Sequence, residues 1–131
     1  MVFQSDRCFQ LWQYKVSHKQ LLVRSPRTLK IQDNIDIIFW GVGAVDIPTT
    51  LNGLTLSDVA AGEGSTADDA PTNRSSALTR FRITSGGRRY SVTAIGSQVF
   101  RNHLDIFESS LADFSENDGK RDRGDLLASA P

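Results

Sequence analysis

Two segments whose apolar residues fall on one face when folded as hairpins, and one apolar stripe at helical spacing, predict an α+β protein that is predominantly antiparallel β. About six to seven strands are expected to form a partly open barrel or curved sheet, with one C-terminal amphipathic helix. The 131 residues leave room for one hydrophobic core. The expected organisation is a single β-rich domain over 1–114, with a flexible loop at 60–77, and a flexible tail over 115–131.

The first hairpin is read from Cys8 to Ser25. Trp12, Tyr14 and Val16 alternate with Gln13 and Lys15, the period of two that a half-buried strand requires. A turn over Ser17 to Gln20 would place Val16 opposite Leu21 and Tyr14 opposite Val23, so both strands turn their apolar residues the same way. Beyond a polar stretch, Ile35, Ile37 and Phe39 share one parity while Ile38, Trp40 and Val42 share the other. A strand apolar on both faces belongs in the middle of a sheet. Gly41 and Gly43 interrupt it and point to a bulge, a bend or a close backbone approach. Leu51-Asn52-Gly53-Leu54 reads as a turn into a short strand ending at Val59.

Residues 60–77, AAGEGSTADDAPTNRSSA, contain no large apolar side chain and so cannot contribute to a core. The strongest local pattern follows in LTRFRITSGGRRYSVTAIG. Gly86-Gly87 supplies the positive φ angles of a two-residue hairpin turn. That turn pairs Ser85 with Arg88, Ile83 with Tyr90 and Phe81 with Val92, collecting the apolar residues on one face. Past Phe100, Asn102 can cap a helix whose buried stripe would be Leu104, Phe107, Leu111 and Phe114. The strand count with a C-terminal helix is similar, in architecture alone, to the pleckstrin-homology-like arrangement. Without a diagnostic motif that likeness implies no lipid binding.

Charge narrows the function classes. Lys plus Arg number 15 and Asp plus Glu number 15, which removes any global electrostatic argument for nucleic-acid or membrane-surface binding. Cys8 is the sole cysteine, excluding an internal disulfide and favouring a reducing compartment. Asp6 and Arg7 interrupt what would be the apolar region of a secretory signal, and the uncharged run from Ile37 to Val45 falls far short of the ~20 residues of a membrane-crossing helix. A cytoplasmic location is expected.

His18 and His103 are the only histidines, and neither lies in a metal-ligand spacing; no metal or cofactor is expected. Acid–base chemistry would therefore fall to carboxylates, with Asp36 and Asp46, which bracket the apolar central strand, as the candidates. The competing reading pairs them with solvent or with an arginine such as Arg24. No nucleophile elbow, phosphate loop or dinucleotide fingerprint is present. The hairpin's polar face carries Arg80, Arg82 and Arg89 with Thr84, Ser91 and Thr93, a candidate anion or partner site. The alternative is an ordinary wet sheet face, neutralised by neighbours such as Asp68 and Asp69. Phe81 and Tyr90 fall on the opposite face, leaving no stacking platform for bases.

These features favour a non-enzymatic binding or assembly module that contacts a protein partner or a second copy of itself. One alternative is a small-ligand β-barrel lined by Trp12, Tyr14, Phe39 and Trp40. The other is a hydrolase that uses Asp36 or Asp46.

Overall fold

In the computed structural model, which describes residues 2–59, 78–104 and 125–130, the period-two alternation resolves into nine antiparallel strands of one open sheet. They are β1 (Phe3–Lys15), β2 (Gln20–Ser25), β3 (Asn34–Trp40), β4 (Ala44–Asp46), β5 (Thr50–Val59), β6 (Thr79–Ser85), β7 (Arg88–Ala94), β8 (Gly96–Asn102) and β9 (Asp125–Ala130). Across the sheet they run β4-β7-β6-β5-β1-β2-β3-β8-β9. Strand accounts for 72% of the described residues and helix for 3%. The α+β expectation is thus corrected to nearly all β, and six to seven strands become nine.

The C-terminal helix is the main correction. Asn102, expected as its cap, ends β8 instead, paired with Asn34. His103 and Leu104 are not helical, and the remainder of the expected helix lies outside the described residues, as does the expected loop at 60–77. Within the expected tail, Asp125–Ala130 form β9 in register with β8, with Ala130 opposite Ser97 and Ala128 opposite Val99. Ala128 and Ala130 are small enough to complete the edge of the core, which is why so few large apolar residues suffice there. Without the helix, the likeness to a pleckstrin-homology-like arrangement has no structural counterpart among the described residues.

The second hairpin has the register its sequence requires. Ser85 pairs with Arg88, Ile83 with Tyr90 and Phe81 with Val92, and the turn glycines have φ of +58° and +78°. The first hairpin differs by two residues: Tyr14 pairs with Leu21 and Lys15 with Gln20. Lacking an Asn-Gly or Gly-Gly pair, it closes through a 3-10 turn, Val16–His18, with Lys19 in the left-handed region at φ +51°. Val16 is drawn into the turn and is 74% exposed. A register irregularity between Leu11 and Gln13 makes Trp12 an extra residue, which turns it away from the face shared by Leu11 and Tyr14. Leu51 to Leu54, expected as a turn, lie within β5, where Gly53 (φ +75°) meets a second irregularity in β1 between Ser5 and Cys8.

The sheet curls until its inner face meets itself. Phe39 on β3 and Phe81 on β6 stand four strands apart in the sheet order, yet their ring centroids lie 5.5 Å apart, edge to face. Ile95 alone joins β7 to β8, although these strands lie in opposite halves of the sheet. Ile95 N–H donates to the Trp40 carbonyl at 2.9 Å, Gly43 N–H to that of Thr93 at 2.7 Å, and Val42 N–H to that of Lys19 at 3.0 Å. Gly41 is required here: its φ is +63°, and a Cβ would stand 2.5 Å from the Ile95 side chain. The main core comprises Phe9, Leu21, Val23, Ile37, Phe39, Leu56, Phe81, Ile83, Val92 and Val99, all at most 1% exposed, with further residues around them.

Candidate functional site

β3 is buried on both faces, as a strand flanked by β2 and β8 must be. Ile35, Ile37 and Phe39 enter the main core, while Asn34, Asp36 and Ile38 occupy the opposite face. Each of β2 and β3 carries a single charge, Arg24 and Asp36, and the register sets them directly opposite one another. Both are fully buried. Arg24 Nε donates to Asp36 Oδ1 at 2.6 Å and Nη2 to Oδ2 at 2.9 Å, the two-pronged geometry that matches a guanidinium to a carboxylate. Asn102 Nδ2 adds a third donor to Oδ2 at 2.9 Å.

The network continues outward. Asn34 Nδ2 donates to Asn102 Oδ1 at 2.9 Å and to the Leu104 carbonyl at 2.8 Å, and Asn34 Oδ1 accepts from the Arg27 backbone N–H at 2.7 Å. Trp12 lies over the guanidinium of Arg24, its centre 5.4 Å away, an arrangement that favours the cation through the ring quadrupole. Leu22 and Ile38 form a second small core beside it, with Trp12 and Phe100 packed on.

Asp36 is thereby tied into a buried side-chain network. Both of its oxygens accept charge-assisted or amide hydrogen bonds, one at Oδ1 and two at Oδ2. Asp46, exposed on β4 at the far end of the strand order, does not converge with it. Among the described residues the two carboxylates considered for a hydrolase are therefore not brought together. Among the described residues no group of His, Cys, Asp or Glu is placed to hold a metal ion. His18 sits in the 3-10 turn with Nδ1 3.1 Å from Ser17 Oγ, and the exposed His103 offers its backbone carbonyl to Arg27.

The four aromatic residues considered for a ligand cavity are divided by the sheet. Phe39 is in the main core against Phe81. Trp12 and Trp40 face the other way, Trp12 over Arg24 and Trp40 across Gly96, where its ring occupies the space a Cβ would need. Tyr14, in the same cross-strand row as Phe39, is 42% exposed at the sheet's end.

The arginine face is assembled. Arg80, Arg82 and Thr84 on β6 share a face with Arg89, Ser91 and Thr93 on β7, since the buried residues of both strands are Phe81, Ile83, Val92 and Ala94. Arg82 is half-buried, with Ser91 across it on one side and Ser57 on the other. Asp46 extends this row, opposite Ser91. Beyond this face, Arg7 is engaged structurally: it donates to Ser25 Oγ at 3.0 Å and to Asp33 Oδ1 at 2.8 Å, pinning the segment after β2.

No family model, curated protein or solved structure matches this chain. Among the described residues no helix is long and apolar enough to cross a membrane. Sequence reasoning proposed Arg24 as the partner of Asp36 but missed Asn34 and Asn102. The available signal was the lone charge in each of two apolar strands, which a β2–β3 antiparallel pairing brings face to face.

Proposed function

We propose that the protein is a non-enzymatic assembly module that pairs with a second copy of itself through the open edge of β9. The observation that carries this reading is the character of that edge. β9 pairs with β8 on one side only among the described residues, and Leu126 and Leu127 are 53% and 38% exposed. Edge strands are ordinarily guarded by Lys, by Pro or by being very short. The opposite edge, β4, has three residues, whereas β9 has six and contains neither Lys nor Pro; its protective features are the charge of Asp125 at one end and the irregularity opposite Val99 and Phe100.

Self-pairing suits the sequence DLLASA. In the fully overlapped antiparallel register, Leu127 faces Ala128, Leu126 faces Ser129 and Asp125 faces Ala130 of the other copy. Large residues then meet small ones, and the two Asp125 carboxylates stand at opposite ends. A cytoplasmic setting belongs to the same reading, because the thiol of Cys8 is exposed and would be open to oxidation elsewhere.

Light scattering coupled to size exclusion tests it. The expected result is twice the chain mass of 14.4 kDa at high protein concentration, reverting to the monomer mass in Leu127→Lys. A wild-type protein that stays monomeric at several hundred micromolar overturns the reading, as does a dimer that survives Leu127→Lys with unchanged stability.

A further inference from the structure

The outer face of β5, β6 and β7 concentrates positive charge that no other described residue of those strands neutralises on that face. Arg82 and Arg89 make no ion pair or side-chain hydrogen bond among the described residues. That contrasts with Arg7 and Arg24, whose guanidinium groups are each held by a carboxylate. Arg82, half-buried in a rigid sheet with no acceptor among the described residues, has lost part of its hydration, while Arg89 beside it is exposed.

Geometry brings the two together. Arg82 pairs across the hairpin with Ser91, and Arg89 stands two residues along β7 from Ser91, so the arginines are diagonal neighbours, ~7–8 Å apart at the backbone. Both long side chains can converge over the Ser91 hydroxyl, with Thr84, directly opposite Arg89, at the border. The strands beneath are fixed by Phe81, Ile83 and Val92, each fully buried, so this donor set is held on a stiff platform. Asp46 faces Ser91 from β4 and is the only acid in this row.

We propose that Arg82 and Arg89, with the hydroxyls of Ser91 and Thr84, form a binding site for a phosphate monoester dianion. Two planar forks and two hydroxyls provide more donors than the two oxygens of a single carboxylate can use, whereas a phosphoryl group offers three terminal oxygens and about two negative charges. Arg80 lies on the same strand two residues from Arg82 and adds long-range attraction; it has an interaction of its own. Asp46 opposes the ligand and sets the site's affinity.

The test titrates the full chain with inorganic phosphate and, in parallel, with a phosphoserine peptide and its unphosphorylated counterpart, following backbone amide resonances. Saturable shifts confined to residues near Arg82, Arg89 and Ser91 are expected. Arg82→Gln and Arg89→Gln should each weaken binding about tenfold. Asp46→Asn should tighten it about two- to threefold by removing a like charge, a gain that a merely structural role for Asp46 does not produce. Tighter binding of the phosphopeptide than of inorganic phosphate assigns the phosphoryl group to a protein partner, and equal binding to a small ester. Shifts that never saturate, or that persist unchanged in the Arg82→Gln/Arg89→Gln double variant with an unaltered far-ultraviolet spectrum, overturn the proposal.

Discussion

The two faces of β2 and β3 share one backbone and are buried to a similar depth, yet they are held together by different physics. The inner face sets Leu21, Val23, Ile35, Ile37 and Phe39 into a continuous apolar core. The outer face surrounds the Arg24–Asp36 pair and its two asparagines with only a small apolar cluster of Leu22 and Ile38. Apolar contacts are non-directional and lose stability in proportion to the volume removed. A buried charge pair is directional, and removing one partner strands the other. Equal burial therefore does not mean equal tolerance: the inner face should degrade gradually, the outer face abruptly.

The largest expected effect is therefore at Asp36. Asp36→Ala removes the carboxylate that Arg24 Nε and Nη2 and Asn102 Nδ2 share, with Arg24 fully buried. A loss of about 3–5 kcal/mol is expected, of the kind measured when one member of a buried pair is removed. The double variant Arg24→Met/Asp36→Leu should recover most of that loss, because no charge is then stranded. Urea unfolding of the two single variants and the double variant, analysed as a thermodynamic cycle, measures the coupling. Strictly additive losses would break the comparison, since they would mean that the two charges do not depend on each other.

How much of this was legible depended on whether the determining interactions are local. The β6–β7 register follows from Gly86-Gly87 and the alternation along both flanking strands, and the structure reproduces it. The first hairpin preserves the alternation, but Lys19 in a left-handed conformation and the extra residue at Trp12 shift its pairing, and neither leaves a glycine signature. The central position of β3 was readable because both of its parities are apolar. The identity of β9 was not, since Asp125–Ala130 alternates only weakly and owes its place to pairing with β8, twenty-odd residues away in sequence. Asn102 shows the same limit from the other side. Its capping preference is local, but Asp36 and Asn34, 66 and 68 residues away in the chain, claim its side chain. The arginine face was visible from alternation, while the place of Asp46 beside Arg82 and Arg89 required the strand order.

A smaller effect sharpens the comparison from the inner face. Ile37 is fully buried between Val23 and Val99 in the same cross-strand row. Ile37→Val removes one methylene there, and the expected cost is about 0.5–1.5 kcal/mol with an unchanged urea slope. Measured in the same series, it must fall well below Asp36→Ala; an equal or larger cost would place the brittle face on the inside.

The smallest effect comes from the one polar intruder that the inner face leaves unsatisfied. Ser97 lies between Phe39 and Ala130 in its row, fully buried, and its Oγ has no hydrogen-bond partner. Burying a hydroxyl without a partner opposes folding, whereas the void left by removing one oxygen is slight. These opposing terms nearly cancel, with the hydroxyl's desolvation the larger. Ser97→Ala should therefore leave stability within ~0.5 kcal/mol of the parent or raise it by up to ~1 kcal/mol, read from the urea midpoint. The contrast with Asp36→Ala is the point: both changes delete a buried polar group, but only the outer one abandons partners. A loss above ~1 kcal/mol at Ser97 would show that its hydroxyl is satisfied in solution by a buried water, and the inner face would then hold a polar contact of its own.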